Sequence, residues 1–141
     1  MSFQKQVSIG MNIIDQAIIK NKNRKYCVIF DIDDTLISSK DHSIIYPIYS
    51  LYEYARFQGI STVLITARPG LLENMKFTMD ELRNNSIEYD LLYFKPPHMT
   101  DIEKYKMFAR KEVHELGYTC IFSIGDMYWD MGDYGGIPIL L

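Results

Sequence analysis

Cysteine is scarce: Cys27 and Cys120 are the only two, and both stand inside apolar runs. That is too few for a disulfide-framed secreted scaffold, so both are read as reduced, buried thiols of a cytoplasmic protein, without a metal or catalytic role. Long hydrophobic runs are missing, and nothing approaches the ~20 apolar residues needed to cross a bilayer. Met1 to Lys25 is too polar and too broken by charge for a secretory signal. Neither sign of charge dominates; a net charge of -3 and a pI of about 5.6 argue against a basic footprint for nucleic acid. Repeats, low-complexity tracts and linkers are absent as well. What remains is 141 residues, 48% hydrophobic and 23% charged, which is the composition of one globular domain. A chain of this length buries enough surface to fold without a disulfide or a structural metal.

Strand-length apolar runs alternate with amphipathic stretches of helix length. Met11 to Lys20 places Ile13, Ile14, Ala17 and Ile18 at helical spacing before Asn21-Lys22-Asn23 stops it. Tyr26 to Phe30 is continuously apolar, as a central parallel strand is. Pro47 to Gln58 reads as a helix with Pro near its start and Gly59 at its end. Ser61 to Ile65 is a second strand, Leu71 to Arg83 a helix, and Leu91 to Phe94 a third strand stopped by Pro96-Pro97. Asp101 to Leu116 is a helix closed by Gly117, Thr119 to Ile124 a fourth strand and Ile137 to Leu141 a fifth. This alternation predicts an α/β fold: a doubly wound, parallel, five-stranded sheet flanked by helices. The whole of 1–141 is expected to be one such core, with 1–24 as an N-terminal helix and lead-in.

Polar residues follow the strands in a pattern. Asp31 and Asp33 come after the first strand, Thr66 and Arg68 after the second, Asp126 and Asp130 after the fourth. In an open parallel sheet these carboxyl ends share the crevice where ligands bind. Clustered carboxylates raise one another's pKa and are costly unless a cation or a reaction uses them. Two acidic clusters on one sheet edge suit a hard divalent cation with oxygen ligands, above all Mg²⁺.

The pattern resembles the haloacid dehalogenase (HAD) superfamily of phosphohydrolases. Asp31-x-Asp33-x-Thr35 after an apolar strand looks like its first motif, Ile65-Thr66-Ala67-Arg68-Pro69 its second, and Gly125-Asp126-x-x-x-Asp130 its fourth. For the third motif, Lys106 with Arg110 and Lys111 is similar to the Lys-x-x-x-Arg-Lys element of the plant and bacterial acid phosphatases, the class IIIB-like group. Lys104, two residues away, is the runner-up for that lysine.

The resemblance implies a Mg²⁺-dependent phosphatase working through an aspartyl-phosphate. Asp31 would be the nucleophile and Asp33 the general acid and base. Thr66, with the backbone N–H of Ala67 where a helix begins, would bind the phosphoryl group. Lys106 would offset its growing charge, and Arg68 would touch substrate. Asp31, Asp33, Asp126 and Asp130 would form the metal set, Asp130 either directly or through water. Asp34 reads as turn, Lys95 as rim charge, and His98 and His114 as solvated, whereas His42 falls where this superfamily carries a short flap. Tyr128 and Trp129 depart from the Gln-Trp-Ser of the acid-phosphatase motif.

Neither interval, Asp31 to Thr66 or Thr66 to Lys106, is long enough for an inserted cap domain. An uncovered crevice favours a bulky phosphorylated substrate, a phosphoprotein or a nucleotide, over a small metabolite, or else a second copy acting as the lid. The competing reading is a non-catalytic phosphate-binding module, such as a receiver domain; that fold needs its acceptor Asp after the third strand, where Phe94-Lys95 stands.

Overall fold

The computed structural model describes residues 2–21 and 23–141. Its elements run α1 (Gln4–Lys20), β1 (Tyr26–Phe30), α2 (Tyr46–Phe57), β2 (Ser61–Pro69), α3 (Leu72–Asn84), β3 (Leu91–Lys95), α4 (Ile102–Glu115), β4 (Thr119–Gly125), a single 3₁₀ turn (Tyr128–Asp130) and β5 (Ile137–Leu140). The five strands pair in parallel in the order β3-β2-β1-β4-β5.

Alternation along β1 divides the core. Val28 and Phe30 face one side of the sheet, where they meet Ile14 of α1 and Ile48, Leu51 and Ala55 of α2. Cys27 and Ile29 face the other side with Val63 and Ile65, beneath Tyr105, Ala109 and Val113 of α4. A strand with both faces covered has no room for a polar side chain, which is why β1 reads as an unbroken apolar run. The chain winds outward through β2 and β3, then returns over the opposite face through α4 to lay β4 beside β1. That reversal is the switch point at which a doubly wound sheet opens a crevice. Neither the segment from Asp31 to Thr66 nor that from Thr66 to Lys106 contains a further domain, so no cap covers it.

Two boundaries differ from expectation. Helix α1 begins at Gln4 rather than Met11 because it runs straight through Gly10. There it lies so close to α2 that a Cβ on Gly10 would come within 2.6 Å of Leu51 Cδ2. Strand β2 continues to Pro69, so Thr66, Ala67 and Arg68 lie in extended chain and α3 starts only at Leu72. The Ala67 N–H is therefore not at a helix N-terminus. It lies where β1 pairing has ended at Leu64 and β3 pairing is interrupted between Ile65 and Pro69. Lys22, within the expected stop of α1, is outside the described residues; α1 itself ends at Lys20. Gly117 adopts the left-handed conformation expected after α4, at φ 97°.

The two cysteines face each other across β1 and β4, Cys27 buried and Cys120 half-buried, without a disulfide between them. A hydrogen bond with Cys120, together with burial, pushes the Cys27 thiol well above its ordinary pKa. Among the described residues no helix is long and apolar enough to cross a membrane.

Candidate active site

Asp31 is the first residue beyond β1, and its N–H still donates to the Ile124 carbonyl of β4 at 3.1 Å. The next three residues show why the turn is firm. Ile32 is fully buried, and its carbonyl accepts from the N–H groups of Thr35, Leu36 and Ile37. With Ile32 buried at the bend, Asp31 is directed to Lys106 and Asp33 to Arg68.

The Asp31 carboxylate is 9% exposed and meets Lys106, which is 2% exposed. Lys106 Nζ donates to Asp31 Oδ1 at 2.9 Å, to Asp130 Oδ1 at 2.6 Å and to the Ile65 carbonyl at 2.8 Å. Three donors and three acceptors leave this buried ammonium satisfied, the condition under which a buried charge is tolerated. Lys106 reaches the site because α4 carries it on the same face as Arg110, one turn on. Arg110, also buried, holds the following loop by donating to the Trp129 carbonyl at 3.0 Å and the Asp133 carbonyl at 3.0 Å. Lys104 is exposed, with its ammonium 5.8 Å from the Phe108 ring, and takes no part.

Asp130 sits on the 3₁₀ turn, with Oδ2 accepting from the Met127 N–H at 3.0 Å. Its carboxylate folds back over Gly125, where a Cβ would overlap the Asp130 side chain. Glycine at 125 is thus a steric requirement of the site. One oxygen from each of Asp31, Asp126 and Asp130 lies within 4.8 Å of the others. Burial pushes the Asp31 carboxyl up to about 7 against the opposing pull of Lys106, and the Asp130 charge adds to the rise. Burial likewise raises Asp126. Three carboxylates, two of them bonded to one lysine and all offering only oxygen atoms, fit a hard divalent cation.

Asp33 is placed differently. Its side chain is 38% exposed, and both of its oxygens are taken by Arg68, Nε to Oδ2 at 3.0 Å and Nη2 to Oδ1 at 2.8 Å. Its carboxylate lies outside the cluster that Asp31, Asp126 and Asp130 form. Arg68, expected to touch substrate, is 13% exposed and turns instead toward Asp33 and α3, where Nη1 donates to Thr78 Oγ1 at 3.1 Å and Glu81 Oε1 at 2.7 Å. Thr66 is fully buried beside them, and its hydroxyl accepts from the Arg68 N–H at 3.1 Å. Glu81 also takes His42 from the flap, Nδ1 to Oε2 at 3.0 Å. Lys95 staples the turn after β3 by donating to the Met99 carbonyl at 2.6 Å, away from the carboxylates.

Sequence reasoning did not select Thr78 or Glu81, and it named Arg110 only as part of the motif around Lys106. The signal available for the first two was a polar pair three residues apart on the α3 face that also carries the buried Leu82. A hollow of about 640 Å³ between Arg56, Arg83 and Tyr89 lies at the end of the sheet away from the carboxylates.

The family described as HAD superfamily, subfamily IIIB (Acid phosphatase) matches residues 38–137. No curated protein matches the sequence. Among solved structures, a chain of "Structure of Pnkp1/Rnl/Hen1 complex" superposes with a TM-score of 0.72 at 18% identity, covering 85% of this chain and 46% of that one. A chain of "Structure of the Pnkp1/Rnl/Hen1 RNA repair complex" gives 0.68 at 18% identity, covering 86% and 43%. At that identity the likeness is one of fold, and this chain spans less than half the length of either.

Proposed function

The chain belongs to subfamily IIIB of the HAD superfamily, the acid phosphatases, and on that premise we propose that Asp31 hydrolyses phosphomonoesters as nucleophile while Asp33 handles the protons. The observation that carries the reading is the Lys106 bridge, which holds Asp31 and Asp130 together beside Asp126 at the switch point of the sheet.

In the first step an Asp31 carboxylate oxygen attacks phosphorus in line, a P–O bond to Asp31 forms, and the bond to the alcohol oxygen breaks. Asp33 gives that oxygen its proton. In the second step Asp33 takes a proton from water, the water oxygen attacks phosphorus, and the bond to Asp31 breaks to release inorganic phosphate. Thr66 and the Ala67 N–H would hold phosphoryl oxygens, the latter from extended chain rather than from a helix end. Lys106 would balance the charge that grows on the transferring group. Asp31, Asp126 and Asp130 would hold Mg²⁺, which when bound supplies positive charge beside the phosphoryl oxygens. Arg68, already paired with Asp33, serves the proton carrier rather than the substrate.

A crevice without a cap suits a phosphate presented on something bulky. The test is hydrolysis of p-nitrophenyl phosphate, which should vanish on chelation and return with Mg²⁺; full activity in excess chelator would overturn the cation's part. A panel of nucleotides, sugar phosphates, phosphopeptides and phosphorylated RNA ends would then rank substrates, RNA because one of the two structural neighbours comes from a complex whose printed name includes RNA repair.

A further inference from the structure

Arg68 and the flap both end on one residue, Glu81. Its side chain is 9% exposed, and burial of a carboxylate is costly unless both oxygens are satisfied. Both are: Oε1 accepts from Arg68 Nη1 at 2.7 Å, and Oε2 lies 3.0 Å from His42 Nδ1. Neither partner reaches the acidic cluster; each bears on Asp33 from a different direction. Arg68 grips the Asp33 carboxylate with two arms. His42 belongs to the flap that starts at Asp33, which is closed by bridges from Ile37 to Asp33 and to Ile44.

The flap turns sharply at that point. His42 has φ 61°, a left-handed conformation that few non-glycine residues adopt and that histidine adopts more readily than most. Its N–H donates to the Ser38 carbonyl at 2.8 Å, and its ring meets Phe77 of α3 edge-on at 6.2 Å. The fully buried Thr78 hydroxyl completes the seat of Arg68. Asp33 therefore depends on α3 twice, through its side chain and through its loop.

We propose that Glu81 is a positioning residue for proton transfer, fixing Asp33 through Arg68 and through the His42 latch on the flap. This rests on the reading of Asp33 as the general acid. A proton carrier works only within hydrogen-bond reach of the leaving oxygen, and displacement by ~1 Å costs up to about 10²-fold. Loosening Asp33 should then hurt poor leaving groups, which need the proton, far more than good ones.

Phenyl and p-nitrophenyl phosphate have closely similar shapes and differ in that need. The measurement is kcat/KM for each, because this constant covers the steps up to release of the alcohol and omits hydrolysis of the phosphorylated aspartate. The ratio of the two constants is independent of the fraction of protein that is folded, so partial misfolding does not blur it. In Asp33→Asn the ratio should move against phenyl phosphate by roughly 10²-fold. Glu81→Ala should move it the same way by about tenfold, Glu81→Gln by less because it retains an acceptor for Arg68. His42→Asn, which tolerates the left-handed backbone, should give the smallest shift in that direction.

If Glu81→Ala and Glu81→Gln lower both substrates in equal proportion while Asp33→Asn splits them, Glu81 is merely structural and the inference is overturned alone. If Asp33→Asn leaves the ratio unchanged, the assignment of Asp33 falls and the inference falls with it.

Discussion

Asp31 and Asp33 are two residues apart and chemically identical, yet the fold gives them opposite surroundings. Asp31 is nearly enclosed, shares Lys106 with Asp130, and has its carboxyl pushed up to about 7 by burial. Asp33 is more than a third exposed and tied to an arginine whose other arm is held by α3. One is supported by α4 and the β4 end of the crevice, the other by β2 and α3. On the proposed mechanism, this difference lets one strand end furnish both a nucleophile and a proton carrier: the buried carboxylate would face cation and electrophile, the open one leaving group and water.

Mutation should separate the two sides. Asp33→Asn is expected to lower kcat/KM for phenyl phosphate by roughly 10²–10⁴-fold while costing under about 1 kcal/mol in denaturant unfolding, because its ion pair is partly solvated. Lys106→Met should combine a loss of roughly 10²–10³-fold in turnover with a loss of about 3 kcal/mol or more of stability in metal-free buffer, since it strands two buried carboxylates. Mg²⁺ should return more of that stability to Lys106→Met than it adds to the wild type. Thr66→Val, which deletes one hydroxyl donor and keeps the volume, should cost about tenfold in kcat/KM.

The smallest effect is a pH dependence confined to the Asp31 side. The folded carboxyl keeps its proton up to about pH 7, whereas the unfolded chain releases it at about pH 4. Stability contributed by this group in the metal-free protein is thus fully present below about pH 4 and lost as pH rises through about 7. The melting temperature gained on adding Mg²⁺ should grow over the same rise, because cation and proton compete for one carboxylate. Thermal melts with and without the cation at several pH values check this, and a gain that shrinks with rising pH would contradict it.

Legibility in the sequence followed what local chemistry could report. The strands β1 and β3 stand out because apolar runs stop at charge or proline, and the end of α4 because Gly117 needs positive φ. The start of α1 was hidden because Gly10, which looks like a breaker, is the contact that lets α2 approach. The end of β2 was hidden because Thr66 to Arg68 lacks the apolar signature once pairing stops. Asp31, Lys106, Asp126 and Asp130, which the fold brings together, stand at strand ends and at motif spacing that the sequence displays. Glu81 was not, since local sequence does not reveal which glutamate of α3 will turn inward to meet an arginine from β2.

The most direct test of the account is Asp31→Asn, assayed for p-nitrophenyl phosphate hydrolysis with Mg²⁺ and melted without it. Asparagine resembles the protonated acid that burial favours at this position. The account predicts a folded protein at least as stable as the wild type in metal-free buffer above pH 7, with hydrolysis abolished. Retained hydrolysis in that folded variant would contradict it.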